Sequence, residues 1–125
     1  MRKITFVISI MMVITTFTVI FPIQTASAAK PILESPSPAM NGTGTYNQQL
    51  KIQARDPNNH PLTVIFQTNA SESWETLGTY NGGNRQYTQN TTNMEIKNKK
   101  YYWSVNATDG TYWTNDTFCF TTRDQ

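Results

Sequence analysis

The stretch YYWSVNATDGTYWTNDTFCFTT, Tyr101–Thr122, decides the fold. Tyr101, Trp103, Val105 and Ala107 share one parity, and Tyr102, Ser104, Asn106 and Thr108 share the other. Side chains alternate across an extended chain, so the first set forms an apolar face and the second a mostly polar one. Asp109-Gly110 then supplies a turn, and after an irregular TYWTND segment Phe118 and Phe120 face inward from a last strand. The pattern predicts a central strand with its neighbour, both contributing large rings to one core.

Working outward, short alternating runs separated by turn clusters continue the theme. In LKIQAR, Leu50, Ile52 and Ala54 alternate with Lys51, Gln53 and Arg55, and DPNNHP breaks the run. LTVIFQT (62–68) is nearly continuous in apolar residues, which predicts a central strand with both faces partly covered. WETLGTY follows as a strand, then NGGN as a tight turn, where Gly82 and Gly83 can take positive φ. RQYTQNTTNMEI reads as a Thr-rich strand, KNKK as a charged turn, and the Pro-rich opener KPILESPSPAMNGTG as one edge strand. Seven strands at this spacing predict an all-β sandwich, with no internal repeat.

The first residues stand apart. Arg2 and Lys3 precede an 18-residue run without charge, Ile4–Phe21, then Pro22 and the small-residue stretch QTASAAK. These are the parts of a secretory signal peptide covering 1–28, with cleavage before Ala29 and a domain over 29–125. An uncleaved membrane anchor is the alternative, since about 20 apolar residues span a bilayer. Without residues 1–28 the chain keeps eight basic and eight acidic side chains. This balance leaves no basic field for nucleic acid. Cys119 is the one cysteine, so no intramolecular disulfide forms. In an oxidising compartment it is either a buried thiol or the site of a disulfide dimer.

Tyr-x-Trp-x-Val-x-Ala, the Asp-Gly turn and the closing TFCFTT resemble the last two strands of a fibronectin type III-like domain. LKIQARDPNNHPLTVIF is similar to the second and third strands of immunoglobulin-like modules common in archaeal and bacterial cell-surface proteins. The likeness runs over roughly Pro31 to Thr122. It implies a seven-stranded immunoglobulin-like sandwich, secreted or held at the cell surface, used for spacing, adhesion or ligand binding.

The residues point away from an enzyme. His60 is the sole histidine and lies in a Pro-rich turn, and the eight carboxylates form no recognisable pair. With strands running alternately up and down, the 56–61, 81–84 and 108–116 loops fall at one pole. That gathers Asp56, Asn58, Asn59, Asp109, Asn115 and Asp116, oxygen donors of the kind calcium takes. Turn Asp and Asn also bond their own backbone, so both readings stand. The same pole carries His60, Tyr112 and Trp113, a candidate site for sugar or peptide, unless Trp113 covers an open end of the core. Trp74 is expected near the opposite pole.

Five N-x-[ST] acceptor patterns occur, at Asn41, Asn69, Asn90, Asn106 and Asn115. Two classes of function follow. One is a structural or adhesive glycoprotein of the cell envelope, meeting an envelope protein or polysaccharide and touching membrane only through an uncleaved leader. The other is a soluble carbohydrate- or peptide-binding module using the 56–61 and 108–116 loops. A small protease inhibitor acting through those loops is a more distant third.

Overall fold

The computed structural model describes residues 29–123, so the leader and its cleavage site lie outside the described residues. Eight strands follow in order: β1 (Ile32–Ser37), β2 (Gly42–Gly44), β3 (Leu50–Arg55), β4 (Leu62–Thr68), β5 (Glu75–Gly82), β6 (Arg85–Gln89), β7 (Lys100–Thr108) and β8 (Trp113–Thr122). Two sheets result, a three-stranded one in the order β1-β3-β6 and a five-stranded one in the order β2-β8-β7-β4-β5. Every pairing is antiparallel except β2 with β8. No helix occurs among the described residues, and hence none long and apolar enough to cross a membrane.

The Tyr101–Thr122 ladder forms the centre of the larger sheet. Tyr101, Trp103, Val105 and Ala107 are fully buried, and the register sets Trp103 opposite Phe118 and Tyr101 opposite Phe120. On the other side β4 brings Phe66 opposite Val105. Trp103 stacks on Phe66 at 6.4 Å and meets Phe118 at 4.6 Å, both within the range of favourable ring contacts. From the smaller sheet Leu50, Ile52, Ala54 and Tyr87 close onto these rings, forming one core cluster. Each large aliphatic or phenylalanine side chain among them contributes about 1.5–3 kcal/mol when removed from water. At the open side, Tyr80 of β5 donates to Gln89 Oε1 of β6 at 2.7 Å, tying the sheets together.

Three local expectations are corrected. The opener is two strands, not one, which makes eight strands where seven are predicted. β1 pairs with β3, its register shifts between Glu34 and Ser37, and the chain then crosses to the other sheet as β2. Pro36 and Pro38 have no N–H to continue a ladder, and Ser35 sits at φ 54°. Next, the Thr-rich strand stops at Gln89. Thr91 Oγ1 donates to Gln48 O, Asn93 turns the chain at φ 64°, and Met94 drops into the core. Finally, neither Gly82 nor Gly83 takes a positive φ. Gly82 is small for another reason: a Cβ there would lie 2.8 Å from the Tyr87 hydroxyl.

Candidate functional site

Asp56 closes β3 and starts the turn. Its carbonyl accepts from Asn59 N at 3.0 Å, and Pro57 presets the backbone of that turn. The Asp56 side chain folds back under the loop, so Oδ2 accepts from His60 N at 2.6 Å and lies 2.8 Å from His60 Nδ1. Asn84, from the β5–β6 turn, clamps the same segment. Its Oδ1 accepts from Asp56 N at 2.7 Å, and its Nδ2 donates to Asn59 Oδ1 at 3.0 Å.

The β7–β8 turn meets this loop. Asp109 Oδ1 accepts from Tyr112 N at 2.7 Å and Thr111 N at 2.8 Å. These amide donors, Tyr112 first, hold the Asp109 carboxyl below its ordinary value, and the nearby His60 adds to the effect. One donor atom each from Asp56, His60 and Asp109 falls within 4.8 Å of the others. Three of the expected pole residues are therefore together, joined across two sets that the sequence keeps separate.

The remaining members of those sets do not join. Asn58 is exposed, and Asn59 is engaged by Asn84. The turn is shorter than 108–116, because β8 begins at Trp113. Asn115 and Asp116 consequently lie within that strand, opposite Asn106 and Val105. Tyr112 is half-buried, with its amide on Asp109, and Trp113 is 56 % exposed, so Trp113 does not plug the core.

A second surface had no role in the sequence reading. On the outer face of the five-stranded sheet, β7 and β8 set Thr108 beside Trp113, Asn106 beside Asn115, Ser104 beside Thr117, and Tyr102 beside Cys119. β4 adds Thr63, Ile65 and Gln67. Across the middle runs an amide row: Asn115 Nδ2 donates to Asn106 Oδ1, and Asn106 Nδ2 donates to Gln67 Oε1 at 3.0 Å. None of these residues carries a formal charge. Exposed rings stand toward both ends, Trp113 at one and Tyr102 at the other, where the exposed Lys100 of the same parity, opposite Thr121, adds one charge; Ser104, Thr108 and Cys119 are themselves buried. Trp74 is also exposed, one residue before Glu75, which pairs with Thr68 beside the Tyr102 end. The alternation in Tyr101–Thr108 already placed Tyr102 outward; only the cross-strand register shows its neighbours.

The acceptor asparagines divide accordingly. Asn106 and Asn115 spend their amide nitrogens, the atoms a glycan would occupy, on the amide row. Asn69 is half-buried and accepts from Tyr102 N, while Asn41, in a turn, and Asn90, just after β6, are exposed and bond through Oδ1. Cys119 is buried, its Sγ donating to Asn41 Oδ1 at 3.2 Å. Elsewhere, Thr43, Gly44, Thr45, Gln48 and Arg123 line an open depression of about 240 Å³.

No protein-family profile and no curated protein matches this chain. Among solved structures, a crystal structure of an engineered protein is similar over 78 % of this chain and 21 % of its own, at 11 % identity and a TM-score of 0.48. The chain thus spans about a fifth of the length of that protein.

Proposed function

We propose that the chain is an exported, non-catalytic module of the immunoglobulin-like, fibronectin type III-like class, with a structural or adhesive role at the cell envelope. The strand order favours that class, with three strands facing five and the last strand beside the central one. So does Tyr101, near the start of β7, whose hydroxyl accepts from Ile96 N five residues upstream at 3.2 Å. A tyrosine returning to the backbone at that corner is a hallmark of such sandwiches.

The observation that carries the adhesive role is the outer face of the five-stranded sheet. Apart from Lys100 at one margin, the accessible groups there are the amides and hydroxyls of Gln67, Asn106, Asn115, Thr63 and Thr117 with the rings of Tyr102 and Trp113, a set that suits a neutral polyhydroxylated partner such as an envelope polysaccharide. Amides and hydroxyls exchange hydrogen bonds with hydroxyl groups, and rings cover their apolar faces. Such a face has little to offer an acidic peptide or nucleic acid, which charge would attract. Of the acceptor sites, Asn41 and Asn90 are the two we assign to glycans.

Retention of the full chain on insoluble envelope polysaccharide tests this. Tyr102→Ala and Trp113→Ala are each expected to weaken retention at least tenfold with unchanged melting, because both side chains are exposed. Wild-type protein that no envelope fraction retains would sink the proposal. The exposure of Trp113 also favours a second reading, a soluble sugar- or peptide-binding module using the loops of the 56–61 and 108–116 segments. It predicts that His60→Ala and Trp113→Ala lose binding while Tyr102→Ala keeps it.

A further inference from the structure

We propose that Asp56, His60 and Asp109 form a binding site for one divalent transition-metal ion of the zinc class. The inference stands apart from the adhesive face, and each can fail without the other. Its first support is convergence: the three residues come from the β3–β4 and β7–β8 connections, and a donor atom of each lies within 4.8 Å of the others. The second support concerns the buried member. Asp56 is only 2 % exposed, and its Oδ1 has no hydrogen-bond partner among the described residues. A buried carboxylate oxygen without a donor is costly, and natural structures rarely leave one so. A cation shared with His60 and Asp109 would offset the cost of keeping that carboxylate buried.

The donor types select the metal. Calcium takes six to eight hard oxygens, and the expected Asn58, Asn115 and Asp116 are not in the cluster. Asp109 Oδ1 already accepts two amides. One imidazole with two carboxylates is a set that zinc and its neighbours accept, with bonds of about 2.0–2.2 Å. Such bonds put ligand atoms about 3.4 Å apart, so binding requires a closing movement on the order of 1 Å. The His60 side chain, 57 % exposed, has room to make it. Asn84 meanwhile holds the Asp56 backbone and the His60 amide its carboxylate, while the β7–β8 amides hold that of Asp109. Three protein ligands leave one position for water or for a donor from a bound partner.

The test uses the untagged full chain in mild detergent, stripped of metal and titrated with ZnCl2 or CaCl2. Calorimetry is expected to show one equivalent of Zn2+ bound with a rise in melting temperature, and no shift with Ca2+. His60 is the only histidine, so the imidazole 15N resonances report coordination in the unaltered protein. His60→Ala and Asp109→Asn are expected to weaken Zn2+ binding at least tenfold. Zn2+ that leaves the imidazole resonances and melting curve unmoved overturns the proposal. So does Ca2+ binding more tightly than Zn2+, or Zn2+ affinity unchanged in both variants.

Discussion

Trp103 shows how much one side chain decides here. Its ring is completely buried between Phe66 and Phe118, yet its Nε1 has no hydrogen-bond partner among the described residues. Packing and polarity therefore act in opposite directions at this position. Truncating a buried Trp removes about 3–5 kcal/mol, a large part of the stability of a small domain. Trp103→Ala is expected to unfold the chain at room temperature or nearly so. Trp103→Phe keeps most of the packing and deletes the stranded N–H, whose burial costs about 1–3 kcal/mol. The Phe variant should then lie much closer to wild type in a urea melt. Equal losses for the two variants would show that the indole N–H finds a partner.

Asp109 makes the complementary case at the surface. Its carboxyl titrates below the ordinary value because two amides and His60 favour the charged form. The folded chain thus binds this proton more weakly than the unfolded chain does. Its contribution is fully present above the unfolded value, near 3.9, and fades as pH falls through the lower folded value. Asp109→Asn should flatten the acid limb of the stability curve below about pH 4 and leave the slope above pH 6 unchanged. A wild-type slope below pH 4 in that variant would mean another group carries it.

At the scale of strands, alternation was sufficient wherever one face is buried. Leu50, Ile52 and Ala54 in β3 and the Tyr101–Ala107 set in β7 sit inward as their parity requires, since a one-residue slip would expose each whole set. Where alternation is weak, the sequence was a poorer guide. Residues 90–99 contain Thr and a buried Met94 but no pairing, because Asn93 and Asn98 take left-handed conformations at 64° and 55°. Nothing in a Thr-rich run announces that. The crossover from β1 to β2 was likewise hidden. Its landing place lies across the sheet, where Gly44 rests on Phe120 so closely that a Cβ would come within 2.7 Å of the ring. The candidate cluster was half legible for the same reason. Asp56, His60 and Asp109 are all turn residues of recognisable type. Their union depends on Asn84, in a third turn, holding the first in place.

For the molecule as a whole, Cys119 decides between two assemblies. Its position in β8 is on the outer parity, opposite Tyr102, which by alternation alone would leave the thiol free for a partner. The turn before β2 changes that. Asn41 N donates to Cys119 O at 2.9 Å while Asn41 Oδ1 accepts from Sγ, so the turn is fastened over the cysteine and leaves it 3 % exposed. An intermolecular disulfide would require that turn to lift and β2 to loosen from β8. The folded chain should therefore run as a monomer without reductant, and its melting temperature should be indifferent to reductant. Its thiol should react with a maleimide only as fast as the chain opens. Labelling in denaturant should be complete within the mixing time, and Asn41→Ala should speed labelling of the native chain. Rapid native labelling, or a dimer that reductant dissolves, would instead make the β2 turn a mobile cover and place β8 at an intermolecular contact.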